Sequence, residues 1–281
     1  MVNLGSPWTE LAIGLVLSGG IAGLGLKGGA LSRSGFVAAL FVGTVTFGFG
    51  GPAWGFVLVC FFVSSSLLSR LGREHKRDAA LVTAKGSRRD AWQVLANGGM
   101  GALLAVLSHI GPEGWATIPF VASVAAATAD TWATEVGTLG RAQPRLITTG
   151  RRAVRGASGA VSPVGTLASL AGAGFIGMAA LGTVALDPTG PAAGGAARVL
   201  LGAVIGGMTG SLIDSVLGAT LQAAYLCEAC GRTTEKQIHG CGARTRQIKG
   251  LAWINNDVVN LVCTGAGAAV GLILGMPGAG W

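Results

Sequence analysis

Val161-Ser-Pro-Val-Gly-Thr-Leu-Ala-Ser-Leu-Ala-Gly-Ala-Gly-Phe-Ile-Gly-Met-Ala-Ala-Leu-Gly-Thr-Val-Ala185 contains no Asp, Glu, Lys or Arg. A hydrocarbon core roughly 30 Å thick takes about 20 apolar residues of helix, so this stretch is long enough to cross a bilayer. Its many glycines and alanines suit the close backbone approach by which helices pack in lipid. Comparable apolar segments lie at about 10–26, 35–50, 53–69, 91–110, 118–139, 197–226 and 251–275. The first three are short, Gly48 to Pro52 reads as a tight turn, and one of the three is a candidate re-entrant segment. The chain is 51% hydrophobic and only 11% charged, with a mean hydropathy of +0.61. Soluble domains carry about a quarter charged residues, so a soluble fold is excluded. No internal repeat stands out, and the 49 glycines follow no collagen period.

The charges are clustered, and the clusters alternate with the apolar segments. Lys27 and Arg33 follow the first segment. Arg70, Arg73, Lys76, Arg77, Lys85, Arg88 and Arg89 follow the third. Arg141, Arg145, Arg151, Arg152 and Arg155 follow the fifth, and Arg232, Lys236, Arg244, Arg246 and Lys249 the seventh. The intervening loops near Gly51, Gly111 and Pro188 carry no Lys or Arg except Arg198, where a helix restarts. The positive-inside rule places the four basic loops in the cytosol and both termini outside. The expectation is an all-α fold: a polytopic transmembrane bundle of about eight helices with short cytosolic loops, in one domain over 1–281. The net charge of +8 reads as topology and phosphate contact, with no nucleic-acid partner. The first segment lacks the basic leader and cleavage site of a signal peptide.

Acids within apolar helices are costly unless they have a partner or a task. Asp130, Glu135, Asp214 and Asp257 lie in or at the ends of such segments, all toward the basic side, and Asn97 enters the fourth segment from that side. They are expected to share one cavity open to the cytosol. Ser211, Asp214, Ser215, Gly218 and Gln222 recur at spacings of three and four, one polar helix face. Asn256 and Asn260 lie four apart beside Asp257, and Asp130 shares a face with Thr134. Carboxylates, amides and hydroxyls are hard oxygen ligands for Mg²⁺, with Asp130, Asp214 and Asp257 as the expected metal ligands. Proton or sodium pathways use similar residues, so this stripe leaves an ion-coupled transporter open.

Two loop elements point toward phosphate. Lys27-Gly-Gly-Ala-Leu-Ser-Arg-Ser-Gly35 joins the first two segments, where Ser32 and Ser34 can cap a helix whose free N–H groups favour an anion, with charge from Lys27 and Arg33. A second element runs through Arg145, Thr148 and Thr149 to Arg155-Gly-Ala-Ser-Gly159, with Ser158, and on to Ser162. Glycine, hydroxyl and arginine before a helix start suit oxyanions. No Walker loop is present. Both elements lie on the face that holds the acids, which suggests phosphoryl chemistry on a cytosolic nucleotide. Separately, Cys227-x-x-Cys230, His239 and Cys241 fall in one loop, 227–250, and three thiolates with an imidazole form a tetrahedral structural Zn²⁺ set. Cys60 and Cys263 read as packing residues, and His75 and His109 are isolated.

Several of these stretches together carry a resemblance. Lys27-Gly-Gly-Ala-Leu-Ser-Arg-Ser-Gly, Gln93-Val-Leu-Ala-Asn-Gly-Gly, Ala126-Ala-Thr-Ala-Asp-Thr-Trp-Ala-Thr-Glu-Val-Gly, Pro144-Arg-Leu-Ile-Thr-Thr, Ser211-Leu-Ile-Asp-Ser and Asn255-Asn-Asp-Val-Val-Asn resemble the membrane protein family that includes the plant chloroplast phytyl-phosphate kinase and vertebrate transmembrane protein nineteen. The similarity runs from about residue 25 to residue 265, and the Cys/His loop also resembles that family's. It implies a prenyl-phosphate kinase that converts an isoprenoid monophosphate, such as phytyl or geranylgeranyl phosphate, to the diphosphate with CTP or ATP. On this reading the prenyl tail lies among the helices in membrane lipid. Some of Asp130, Glu135, Asp214 and Asp257 hold Mg²⁺ with help from Asn97, Asn256 or Asn260. Lys27, Ser32, Arg33, Ser34, Arg145, Thr148, Thr149, Ser158, Ser162 and Ser211 meet phosphate. The rivals are an ion-coupled transporter or lipid scramblase using the carboxylates, and a structural subunit with a zinc-stabilised docking loop.

Overall fold

The structure is a computed structural model, and it describes residues 7–71, 82, 86, 88–140, 142–184 and 195–276. Seven helices make up most of it: α1 Pro7–Lys27, α2 Arg33–Leu68, α3 Ala91–Leu107, α4 Thr117–Gly137, α5 Pro163–Val184, α6 Ala196–Thr220 and α7 Asn256–Gly275. Five of them, α1, α2, α5, α6 and α7, are long and apolar enough to cross a membrane. Among the described residues, the eight helices expected from sequence appear as seven elements, because the second and third apolar segments fall in one 36-residue element. That element is interrupted at Gly51, whose φ of +78° and ψ of −178° are not helical, with Pro52 next in line. The chain reverses there. A Cβ placed on Gly98 would lie 2.9 Å from Val42 and 3.9 Å from Leu58. Sixteen residues of straight helix would hold those two side chains about 24 Å apart. Pro52 removes a helical hydrogen bond, and Gly51 adopts the positive φ that a side chain resists.

Small residues decide how the rods pack. α4 is the central helix, buried along nearly its whole first half from Thr117 to Ala129. It is not among the five spanning candidates, because a helix enclosed by protein needs less apolar surface than one facing lipid. α6 and α7 close on it backbone to backbone. A Cβ at Gly210 would stand 2.6 Å from the Ala126 Cβ and 2.7 Å from the Cys263 carbonyl oxygen. Gly210→Ala should therefore spread α4, α6 and α7 and cost about 1–3 kcal/mol, read as a lowered melting temperature in detergent. Near the Gly51 turn, Trp54 stacks on Phe120 at 4.1 Å, and Phe49 meets the His109 ring edge-on at 5.5 Å.

The basic loops gather at the other end and are tied to one another. Arg70 donates to the Gly28 carbonyl at 2.8 Å. Ser32 N–H donates to the Arg89 carbonyl at 2.9 Å, and Arg89 N–H to that of Ala30 at 2.9 Å. Ser69 donates to Glu135 at 2.5 Å, and the Glu235 N–H donates to the Val82 carbonyl at 2.8 Å. The expected all-α class needs a small correction at this end. Arg145–Leu146 (β1) pairs antiparallel with Ala160–Val161 (β2). Ala224–Cys227 (β3) pairs with both Arg232–Thr234 (β4) and Arg246–Lys249 (β5) in a three-stranded sheet. The sixth helix accordingly stops at Thr220 rather than running on to 226, and α7 starts at Asn256. Alternation in β3, with Tyr225 and Cys227 buried, is the strand pattern. Arg73, His75, Lys76, Arg77, Lys85, Arg141 and the loop around Pro188 lie outside the described residues.

Candidate active site

Two turns above the basic end of α6, Asp214 faces a cavity of about 140 Å³ between α4, α5, α6 and the loop of residues 155–162. Asp130 lines it from α4, about 10 Å in from that helix's end. Ser211, Ser215 and Gln222 continue the α6 side, as their three- and four-residue spacing requires. Ser158, Ser162 and Arg155 come from the glycine-rich loop, and Asn256 from the start of α7. Ser162 also caps α5, accepting from the Gly165 N–H at 3.1 Å. The loop lies directly on α6, since a Cβ on Gly159 would stand 2.3 Å from the Ala219 nitrogen.

The cavity holds a third carboxylate that sequence reasoning missed. Glu235 lines it from the segment just after β4. The side chain accepts from Gln222 at 2.9 Å and from the Ser158 hydroxyl. Asp130 and Glu235 both lie within Coulombic reach of Asp214. The Asp214 Oδ2 atom is buried and has no hydrogen-bond partner among the described residues. A buried carboxylate oxygen left without a donor is costly, and a divalent cation satisfies such an atom. Three carboxylates with serine hydroxyls at hand are the hard oxygen donors that Mg²⁺ takes. On β5, Lys249 donates to the Gly218 carbonyl of α6 at 2.5 Å. Partial burial lowers its pKa from the usual lysine value, while the charge of Glu235 acts the other way.

The remaining expected residues sit elsewhere. Glu135 points away from the cavity to Ser69. Five residues of helix place it well around α4 from Asp130. Asn97 lines a different cavity, between α1, α2 and α3, and its amide donates to the Gln93 carbonyl at 2.9 Å. Asn260 is buried in α7, and neither it nor Asp257 lines the acidic cavity. Asn255 caps α7, accepting from the Asp257 and Val258 N–H groups at 3.0 and 3.1 Å. Of the residues expected to share one cavity, Asp130, Asp214 and Asn256 line the acidic one, Asn97 lines the other, and Glu135, Asp257 and Asn260 line neither. The Lys27–Gly35 element caps the next helix, as its serines suggest. Ser32 caps α2 by accepting from the Gly35 N–H at 3.0 Å, and its hydroxyl meets that of Ser34 at 3.0 Å. A Cβ on Gly35 would collide with the Arg89 carbonyl at 2.2 Å, so the turn also packs against the segment before α3. Lys27 and Arg33 are exposed. Arg145 donates to the Gly150 carbonyl at 2.8 Å, and the Thr149 hydroxyl accepts from the Arg151 N–H at 3.4 Å. With Thr148, these residues lie beside the acidic cavity's loop and not on its lining.

The cysteine loop gathers its four residues. One ligand atom from each of Cys227, Cys230, His239 and Cys241 lies within 4.8 Å of the others, a group that could hold a metal ion. Cys227 Sγ and Cys241 Sγ are 3.7 Å apart, close to the roughly 3.8 Å edge of a tetrahedron with metal–sulfur bonds of about 2.3 Å. His239 Nδ1 lies 3.1 Å from Cys241 Sγ. That contact lowers the Cys241 thiol pKa to about 6, while the hydrogen bond with Cys241 is the main cause that raises Cys230 to about 11. Cys227 ends β3 and His239 follows β4, so the same loop that gathers the ligands carries Glu235 into the acidic cavity.

Comparison with known proteins places this geometry in a family. Protein PGR of Arabidopsis thaliana is 32% identical over 275 residues, which span 92% of this chain and 93% of that protein. The uncharacterized membrane protein MJ0933 of Methanocaldococcus jannaschii is 31% identical over 248 residues, 88% of this chain and 87% of the relative. Protein VTE6, chloroplastic, of Arabidopsis thaliana is 27% identical over 280 residues, 98% of this chain and 74% of the relative. No solved structure matches. Residues 16–268 match the family described as integral membrane protein DUF92, and with relatives this similar over most of their length the chain belongs to the DUF92 integral membrane proteins.

Proposed function

We propose that the protein is a prenyl-phosphate kinase of the cytoplasmic membrane. It transfers the terminal phosphoryl group of CTP or ATP to an isoprenoid monophosphate, with the reaction on the cytosolic side. The observation that carries this reading is the group of three carboxylates, Asp130, Asp214 and Glu235, in one cavity below a loop of glycine, serine and arginine. The motif resemblance to the phytyl-phosphate kinase family supplies the substrate class. Asp130, Asp214 and Glu235 would hold Mg²⁺, with Ser211 or Ser215 beside them and Asn256 at the rim. Bound there, the ion would neutralise charge on the phosphates. Ser158, Arg155 and the glycines at 156 and 159 would hold the nucleotide phosphates. Lys27, Ser32, Arg33, Ser34, Arg145, Thr148 and Thr149 would serve as outer phosphate contacts on the same face.

The acceptor's phosphate oxygen attacks the terminal phosphorus, the bond from that phosphorus to the bridging oxygen breaks, and the nucleoside diphosphate leaves. An acceptor that is already ionised needs no strong general base, so the protein's work is positioning and charge neutralisation. The glycine, serine and arginine loop beside the carboxylates favours this reading over a proton pathway, which has no use for phosphate donors. The Cys/His group would hold structural Zn²⁺.

Purified protein given Mg²⁺, labelled CTP or ATP, and phytyl or geranylgeranyl phosphate should form the labelled diphosphate. Omitting Mg²⁺ should stop it. Failure with every nucleotide and acceptor pair, together with carboxylate-dependent ion uptake in vesicles, would replace this function with the transporter.

A further inference from the structure

The larger cavity belongs to none of this chemistry. It measures about 310 Å³, lies between α1, the two arms of α2 and α3, and shares no lining residue with the acidic one. Its wall is apolar except for Ser18 and, at the basic end, Arg89, Gln93 and Asn97. Phe56, from the second arm of α2, lines it and is 47% exposed, so the cavity opens on the outer surface of the bundle.

Arg89 is held in place by its backbone, which bonds to Ala30 and Ser32 on either side. Its guanidinium lies over the Phe61 ring at 5.5 Å. Nη1 is buried and has no hydrogen-bond partner among the described residues. Burial lowers its pKa to about 10, with the charge of Glu135 acting the other way, so the group stays cationic at neutral pH. An arginine kept charged among phenylalanines, with a donor nitrogen unused and a rigid backbone, is arranged for an anion. The Gln93 side-chain oxygen accepts from the Asp90 N–H in the α3 capping box and the Asn97 amide nitrogen donates to the Gln93 carbonyl, so Arg89 is the one charged group on this wall among the described residues.

We propose that this cavity binds an amphiphile with a phosphate head at Arg89 and a hydrocarbon tail running between the arms of α2 toward Phe47 and Phe56. A cavity of about 150 Å³ holds one benzene, so this one takes on the order of a dozen carbons, the first part of a prenyl or acyl chain. The site is separate from the candidate active site and stands whether or not the kinase reading holds. The ligand is either a single-chain phosphate monoester or a phospholipid of the bilayer.

The probe is dodecyl phosphate, added to the purified full chain in non-ionic detergent, with dodecanol as the uncharged control. Wild type should bind the phosphate at least tenfold more tightly than the alcohol. Arg89→Gln should remove that preference, Arg89→Lys should keep part of it, and Val59→Trp, which fills the cavity, should weaken both. Melting temperatures identify variants that have lost their fold. Competition by geranylgeranyl phosphate and not by phosphatidic acid assigns a single-chain ligand, and the reverse assigns a bilayer lipid. Undiminished preference in a folded Arg89→Gln would overturn the proposal.

Discussion

Asp214→Asn and Asp130→Asn should each reduce turnover at least a thousandfold while the protein still folds and inserts. Each carboxylate lines the acidic cavity, and the Asp214 Oδ2 atom has no donor among the described residues. Asn keeps the shape and removes the charge that a divalent ion needs. A thousandfold loss corresponds to about 4 kcal/mol of barrier, the scale on which a metal stabilises charge in a transition state. The fold should not suffer, because neutralising an acid within the bundle removes a costly charge. The contacts that close α4 on α6 and α7 come from Gly210, Ala126 and Cys263 instead. Two measurements separate the possibilities. Mn²⁺ bound to the purified protein, followed by its paramagnetic resonance, should weaken in both variants, and melting temperature should hold or rise. Wild-type turnover in both would move the reaction centre out of this cavity.

What the sequence made readable follows from how strictly each feature is tied to local pattern. The helices were legible because lipid imposes a length and excludes charge, and the one-sided loops because charge clusters survive as strings. The α6 stripe was legible because a helix repeats every 3.6 residues, so Ser211, Asp214, Ser215 and Gln222 had to share a face. The reversal at Gly51 was half visible. Gly and Pro mark a turn, yet only the approach of Val42 and Leu58 to Gly98 distinguishes a hairpin from a kink. Where periodicity stops, inference failed. Glu135 and Asp130 belong to one motif but face different neighbours, and the choice depends on which helices surround α4. Ser32 and Gly35 read as a phosphate turn because a capped helix start has the same composition whether it meets an anion or a neighbouring segment of chain. Glu235 was invisible for the plainest reason: it lies between Cys230 and His239 in a loop read for its thiols. A segment held between metal ligands is well placed to carry a functional side chain, and that is the clue the sequence offered.

The same loop yields the other large effect. Replacing Cys227 and Cys230 with Ser should release about one zinc per chain and, with it, most of the activity, although neither residue lines the acidic cavity. A structural zinc contributes on the order of 10–16 kcal/mol to the folding of small metal-bound modules. Three short strands have no comparable source of stability, so the β3–β5 sheet should open when the ion leaves. Glu235 is bound to Gln222 and Ser158, but its position depends on β4, whose Thr234 hydroxyl donates to the Val82 carbonyl at 3.1 Å. Loss of the sheet should free Glu235 and leave the acidic cavity with two carboxylates. Glu235→Gln should then lower activity by a similar factor, roughly a hundredfold for one removed ligand charge, while its zinc content stays at wild type. The helical bundle should survive in both, since its packing is made by α4, α6 and α7. Zinc analysis, turnover and melting temperature on the same preparations settle the chain of cause. Should the cysteine variants lose zinc and keep full turnover, Glu235 does not need the metal module to hold its place. If Glu235→Gln is fully active, the third carboxylate has no part in the reaction.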